Sequence, residues 1–279
     1  MRSLGLVVHV EGARIGFTGK PGDCFFGVRW QSYCVLALLP WLAGCALVRR
    51  PSAPIPSFSQ SDPPRAIVIG FVGFIDHADD PRLSVVQLGD RLQQTYASDV
   101  YVQVFRNRDK KRAEQTIKAL LDTNHDGFLT DAEKRDADII LYGHSWGGAT
   151  VVSLSRALAK ERIPVALTVQ VDSVHKLGQN DAKIPPNVRE AVNFYQPHGF
   201  FHGRKKIVAV DLEETAILGN YRFDYAKHSV TCPPSFSRYE MFFARGHIQM
   251  DCDPKVWGEV EGLIRKRLPA PESEVAESR

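Results

Sequence analysis

Ser145 stands in "GHSWG", between Gly143 and Gly147, with an apolar run before it and a helix-forming run after it. A serine hydroxyl is a poor nucleophile until a base within hydrogen-bond reach takes its proton. The histidines downstream are His175, His198, His202, His228 and His247. Two aspartates close apolar runs, Asp172 in "LTVQVD" and Asp211 in "KIVAVD", and either could orient such a base. A second chemical pattern lies just upstream, "DTNHDGFLTDAE" (122–133). It sets Asp122, Asn124 and Asp126 at loop positions one, three and five, with Gly127 at six, the Phe128 carbonyl at seven and Glu133 at twelve. Calcium is a hard cation that takes several oxygen ligands, and this spacing supplies them around a glycine turn.

These residues need a frame. Apolar, β-branched runs recur at 66–74, 99–105, 137–143, 165–171 and 206–212 and predict strands. Between them Val85, Leu88 and Leu92 share one helical face, as do Ala113, Ile117 and Leu120 or Leu121. A helix is expected from Gly147 through "GATVVSLSRALAKE". The last helix is framed by Asp253 as cap and Pro254 in the first turn, with Val256, Val260 and Leu263 inward. Near-continuous apolar strands alternating with helices predict an α/β fold, a mostly parallel sheet covered on both faces.

Ser145 therefore falls where a strand turns sharply into a helix, which is the context G-x-S-x-G requires. The turn lifts the hydroxyl clear of the sheet, and the helix N-terminus behind it favours developing negative charge. Over most of 65–268 the chain resembles the α/β-hydrolase superfamily, of the serine esterase or lipase type. The resemblance implies an acid and a histidine following in the order Ser, Asp or Glu, His. It places the base on a loop just before the final helix, which favours His247 over the runner-up His228. For the acid it admits both Asp172 and Asp211. Asp172 is preferred because "VDSV" stops the strand and precedes a long segment. The implied oxyanion hole combines the Trp146 N–H with one from the loop after the first strand. There "GFVGF" (70–74) offers Phe71 or Val72 in place of the family's usual histidine-glycine pair.

The 122–133 loop resembles an EF-hand loop with its exit helix cut short and no partner hand in view. A solitary site suggests structural Ca2+ that pins the connection into the nucleophile's strand, and no organic cofactor is expected. The segment 175–204, long and aromatic, reads as a lid or wall over a pocket.

The front of the chain reads differently. Arg29 precedes an apolar run from Cys34 to Leu42, too short to span a bilayer, and the run ends in "LAGC" (42–45). That ending resembles the bacterial lipobox, in which the cysteine, here Cys45, is acylated and becomes the mature N-terminus. Residues 1–45 are then an extension plus a lipoprotein signal, with Val28 as the suspected true start. Residues 46–64, rich in proline and serine, form a tether. The catalytic domain covers 65–268, and 269–279 is a tail. Such a protein would sit lipid-anchored in the bacterial cell envelope or be exported, where Cys232 and Cys252 could pair.

The 279 residues carry a formal charge of +3 and no basic run after the signal, which gives no support to a nucleic-acid partner. The expected function is a serine hydrolase acting on small-molecule or lipid esters. The alternatives are a non-catalytic calcium-binding lipoprotein on the same fold, or a peptidase or acyltransferase using the same residues.

Overall fold

The computed structural model describes residues 63–96, 99–176, 178–233, 236 and 238–270. Cys45, the apolar run before it, and nearly all of the tether and tail lie outside the described residues. The first half contains β1 (Ala66–Val72), α1 (Ser84–Thr95), β2 (Val100–Arg106), α2 (Lys110–Leu121), β3 (Asp138–His144) and α3 (Trp146–Lys160). The second half contains β4 (Val165–Val171), β5 (Lys183–Ile184), β6 (Val188–Tyr195), β7 (Val208–Ala209), β8 (Ala216–Arg222), α4 (Arg238–Cys252) and α5 (Pro254–Arg265).

Six strands form one sheet in the order β2-β1-β3-β4-β6-β8, and every pairing in it is parallel. Parallel strands need crossover connections, which is why helices alternate with strands and cover both faces. Side chains along each strand alternate between the two cores. Val68, Ile140 and Tyr142 pack on one face with Val85, Leu88 and Leu92 of α1 and Val256, Trp257 and Val260 of α5. Ile67, Ile69, Ile139 and Leu141 pack on the other with Ala113, Ile117 and Leu121 of α2 and Val151, Leu154 and Leu158 of α3. Being fully buried on both sides explains why these strands read as unbroken apolar runs rather than as alternating ones.

The chain leaves β1 to one side for β2, then crosses back to β3 on the other side. That reversal opens a crevice beyond the carboxyl ends of β1 and β3, the usual place for a ligand in an open parallel sheet. Ser145 follows β3 at that point.

The second half differs from expectation in two places. The apolar run at 206–212 is not a strand of the main sheet. Only Val208–Ala209 is extended, paired with β5 in a separate two-stranded ribbon, and Val208, Val210 and Leu212 are exposed. The sheet takes instead β6, from inside the segment expected to form a lid, and β8 at the edge. Arg189 and Glu190 near the start of β6 hide its apolar centre, Ala191, Val192 and Phe194, which is wholly buried.

Asp253 caps α5, its Oδ1 accepting from the Lys255 N–H at 2.9 Å and its Oδ2 from the Tyr225 hydroxyl at 2.8 Å. Cys232 and Cys252 are joined in a disulfide, with Cα atoms 5.4 Å apart, across a sequence separation of 20. The bond fastens the last residue of α4 to the segment that leads into it. Closing a loop of this size contributes about 3 kcal/mol in the chain-entropy account. The double variant Cys232→Ser/Cys252→Ser should melt ~6–12 °C lower by differential scanning calorimetry. An unchanged melting temperature would show that the bond adds nothing to the fold.

Candidate active site

The turn at Ser145 is strained, with φ 58° and ψ −127°. A side chain at φ near +60° persists only where the surroundings over-determine it. Here the surroundings are backbone. A Cβ added at Gly147 would lie 2.0 Å from the Phe71 carbonyl oxygen, and one at Gly143 would lie 2.6 Å from the Gly147 carbonyl carbon. No side chain fits either position, so both glycines are required by close approach. The Ser145 N–H donates to the Val171 carbonyl at 3.0 Å, and its own carbonyl accepts from the Gly148 and Val174 N–H groups.

Gly73, the first residue past β1, faces the serine. A Cβ added there would stand 2.9 Å from Ser145 Cβ and 3.4 Å from its Oγ, with Asp76 Oδ2 at 3.2 Å. Buried Asn107 fixes this loop, its Nδ2 donating to the carbonyls of Gly73 at 2.9 Å and Phe74 at 2.6 Å. The Phe74 ring lies against Trp146, with centroids 4.7 Å apart. This corrects the expectation for the first loop. Phe71 is in register with both Phe105 and Gly143, and Val72 with Arg106, so both are ladder residues inside β1. The backbone beside the hydroxyl is Gly73–Phe74.

His247 is also placed differently from expectation. It lies within α4 rather than on a loop, three residues past a break at Ala244 (φ −129°, ψ 29°). The break lets the helix restart at the sheet's carboxyl edge. Gly246 then packs against Gln196, where an added Cβ would be 2.8 Å from Oε1. The His247 ring stacks on His144, the residue before the serine, with centroids 4.4 Å apart and planes 28° from parallel. The imidazole is thus held against the elbow itself. His175, His198, His202 and His228 are exposed. His198 Nε2 pairs with Asp224 at 3.0 Å.

His247 Nδ1 lies 2.6 Å from Asp172 Oδ2. Asp172 is fully buried just past β4, at φ 43°. Its carboxylate also accepts from the Gln196 N–H at 3.1 Å, Gln196 Nε2 at 3.0 Å and the Gly203 N–H at 2.7 Å. Burying a carboxylate is costly unless donors surround it, and these donors do. Gly203 must be glycine, since a Cβ there would meet Asp172 Oδ1 at 2.2 Å. Gln196 and Gly203 were not foreseen in the sequence, because they belong to the segment read as a lid. Asp211 is elsewhere, in an exposed turn where its Oδ1 accepts from the Glu213 N–H.

A further polar pair lies beneath. His144 and Asp251 are buried, with Nδ1 and Oδ1 3.7 Å apart, beyond hydrogen-bond length. His144 Nε2 and both Asp251 oxygens find no partner among the described residues. Burial, and secondarily His247, push the His144 imidazole well below its ordinary range. Burial pushes the Asp251 carboxyl up to about 7.

Asp122 Oδ2 accepts from the Gly127 N–H at 3.0 Å, Asn124 Oδ1 from Asp126 at 2.9 Å and Asp126 Oδ1 from Phe128 at 2.8 Å. Asp122 Oδ1 is buried without a partner. Glu133, however, turns one oxygen to Thr123 and the other to Thr130. These hydrogen bonds, Thr130's foremost, lower its carboxyl to about 2. No three acidic, histidine or cysteine side chains are gathered to hold a metal among the described residues. The first three ligand positions and the orphaned oxygen suit a cation; Glu133 would have to exchange its threonine partners to join them. The loop precedes β3 and Ser145 follows it, so a seven-residue strand, about 23 Å, separates them. A cleft of about 430 Å³ borders this loop, lined by Asp122, Phe128, Lys118 and Lys160, and is distinct from the serine site.

No protein-family model and no curated protein matches the chain. Among solved structures it is similar to an arylesterase at 14% identity and TM-score 0.29, over 42% of this chain and 39% of the arylesterase. It is similar to a protein described as a hydrolase of the alpha/beta superfamily from Xanthomonas campestris pv. campestris, at 14% identity and TM-score 0.31, over 53% and 87% of the two chains. Esterase PE8 is similar at 12% identity and TM-score 0.35, over 75% and 96%. Scores of this size carry no argument, so the topology must stand by itself. It is a parallel sheet with helices on both faces, carrying a serine on a glycine-flanked strand-to-helix turn at its switch point. The fold is α/β, a six-stranded parallel sheet with helices on both faces.

The buried acid has a consequence for stability. An Asp251 carboxyl raised in the folded state keeps a proton that the unfolded chain has already released. Its contribution is complete below the unfolded carboxylate pKa, near 3.9, and is lost as pH rises through about 7. His144 acts in the opposite sense, withdrawing stability as pH falls below its unfolded pKa. Urea midpoints of the wild type should therefore decline between pH 6 and pH 9, and Asp251→Asn should flatten that decline. Parallel declines in the two proteins would refute the assignment.

Proposed function

We propose that the chain is a serine hydrolase that cleaves carboxylic esters through an acyl-enzyme. The observation that carries this reading is the Asp172-bound imidazole of His247 stacked beside the strained Ser145 elbow. In this mechanism Ser145 Oγ attacks the ester carbonyl carbon while His247 Nε2 takes its proton. Asp172 keeps the proton on Nδ1, which fixes the tautomer and stabilises the imidazolium. The N–H groups of Trp146 and Phe74 receive the oxyanion, each donor being worth roughly 3–4 kcal/mol in such sites. Collapse expels the alcohol, which takes the proton from His247. Water then gives its proton to His247 and attacks the acyl carbon, releasing the acid and restoring Ser145.

A fluorophosphonate probe should label the wild type and Ser155→Ala but not Ser145→Ala. Asp172→Asn should lower kcat on 4-nitrophenyl esters by ~10⁴-fold, since the wrong tautomer is then favoured. Labelling that persists in Ser145→Ala would end the proposal.

Calcium belongs to the same reading as a structural ion, held by Asp122, Asn124, Asp126 and the Phe128 carbonyl, with Glu133 joining on rearrangement. What supports it is the buried, partnerless Asp122 Oδ1. Bound there, the ion would fasten the connection into the amino end of β3. Thermal melts in 1 mM calcium and in excess chelator should differ by several degrees, with the chelated protein lower. Superimposable melts would remove calcium from the account.

A further inference from the structure

On the side of Ser145 formed by Gly73, Phe74 and Trp146, Lys176 bonds Asn107, and Lys110, close enough to repel it, bonds Ser153. Lys176, four residues past Asp172, donates from Nζ to Asn107 Oδ1 at 2.9 Å and stands 5.3 Å from the centre of the Trp146 ring. Lys110, at the start of α2 and three residues from Asn107, donates from Nζ to Ser153 Oγ at 3.1 Å. Both are half-buried, and neither is paired with a carboxylate among the described residues. Burial first, and Lys110 second, push the Lys176 ammonium below its ordinary range, as happens to a cation short of negative charge. One carboxylate, Asp76, shares this rim beside Gly73, so the two lysines leave a net positive charge.

Asn107 links Lys176 to the elbow. Its Oδ1 accepts from Lys176 while its Nδ2 holds the Gly73 and Phe74 carbonyls, and Gly73 in turn touches Ser145. Trp146, over which Lys176 lies, is the residue after the serine. An anionic group reaching Lys176 would therefore lie on the same rim as a carbonyl placed at Ser145.

We propose that Lys176 and Lys110 form an anion-binding subsite beside Ser145, and that the ester cleaved carries a carboxylate or phosphate group close to its scissile bond. This deepens the hydrolase reading and rests on it. The exposed faces of Phe74 and Ile75 on the same rim give the subsite an apolar border, so the substrate presents hydrocarbon as well as charge.

The test uses the whole protein and three matched esters: mono-4-nitrophenyl glutarate, 4-nitrophenyl pentanoate and an analogue bearing a phosphonate. Wild type should favour an anionic ester over the neutral one by about tenfold in kcat/KM, as for a charge-assisted contact. That preference should fall in 0.5 M NaCl and disappear in Lys176→Gln. Lys176→Arg should restore it, which a purely structural role for the amine would not require. Whichever anionic ester is preferred identifies the group. If all three esters are cleaved with one ratio in wild type and Lys176→Gln, the subsite is refuted while the hydrolase reading survives. If none is cleaved, the hydrolase reading fails. Calorimetric titration with inorganic phosphate then decides the subsite alone: binding lost in Lys176→Gln supports it, and no binding to wild type overturns it.

Discussion

Backbone pressed against backbone is the constraint on which this molecule turns. The first turn of α3 sits so close to the end of β1 that the Phe71 carbonyl occupies the space a side chain would need at Gly147. Because the helix cannot retreat without leaving the core it covers, the residue between β3 and α3 is forced into a left-handed conformation. The strain at Ser145 is thus held in place by packing on both faces of the sheet. A serine in a relaxed loop would have a hydroxyl of the same chemistry but no fixed direction. The glycines at 143 and 147 and the largely apolar strands are parts of one requirement.

The imidazole side of the site solves a different problem, how to keep a negative charge where water cannot reach it. Asp172 is surrounded by donors from three parts of the chain: Gln196, Gly203 and His247. The segment between β4 and β8 gains its purpose from this. It contributes a central strand, and its flanks then fold over the carboxylate. Gln196 ties the acid to the Phe201 carbonyl, so the wall of the site and its electrostatics share one side chain.

What the sequence revealed and what it concealed divide along physical lines. The first four strands are legible because burial on both faces leaves most of their positions apolar, and Ser145 is legible because its glycines are dictated by contact. The strand at 188–195 is concealed because Arg189 and Glu190 lie at its amino end, where charge can reach solvent. The run at 206–212 misleads in the opposite way, being apolar yet exposed. The family resemblance picks out His247 ahead of the final helix, and the surprise is the helical backbone around it, since nothing in "FFARGH" marks a break at Ala244. Asn107, Gln196 and Gly203 act through tertiary contacts that leave no local pattern. The 122–133 loop shows the complementary case, in which every ligand type is present at its spacing while the twelfth residue spends its oxygens on threonines.

The serine belongs to the middle of the chain and its paired imidazole to the last helical hairpin, beyond the disulfide's first cysteine. During synthesis the sheet can therefore take shape around a hydroxyl that still lacks its proton acceptor. On the proposed reading, the newborn polypeptide is inert until the segment carrying His247 has emerged and docked against the elbow. Reactivity would then be conferred by docking of the last two helices rather than by the elbow alone.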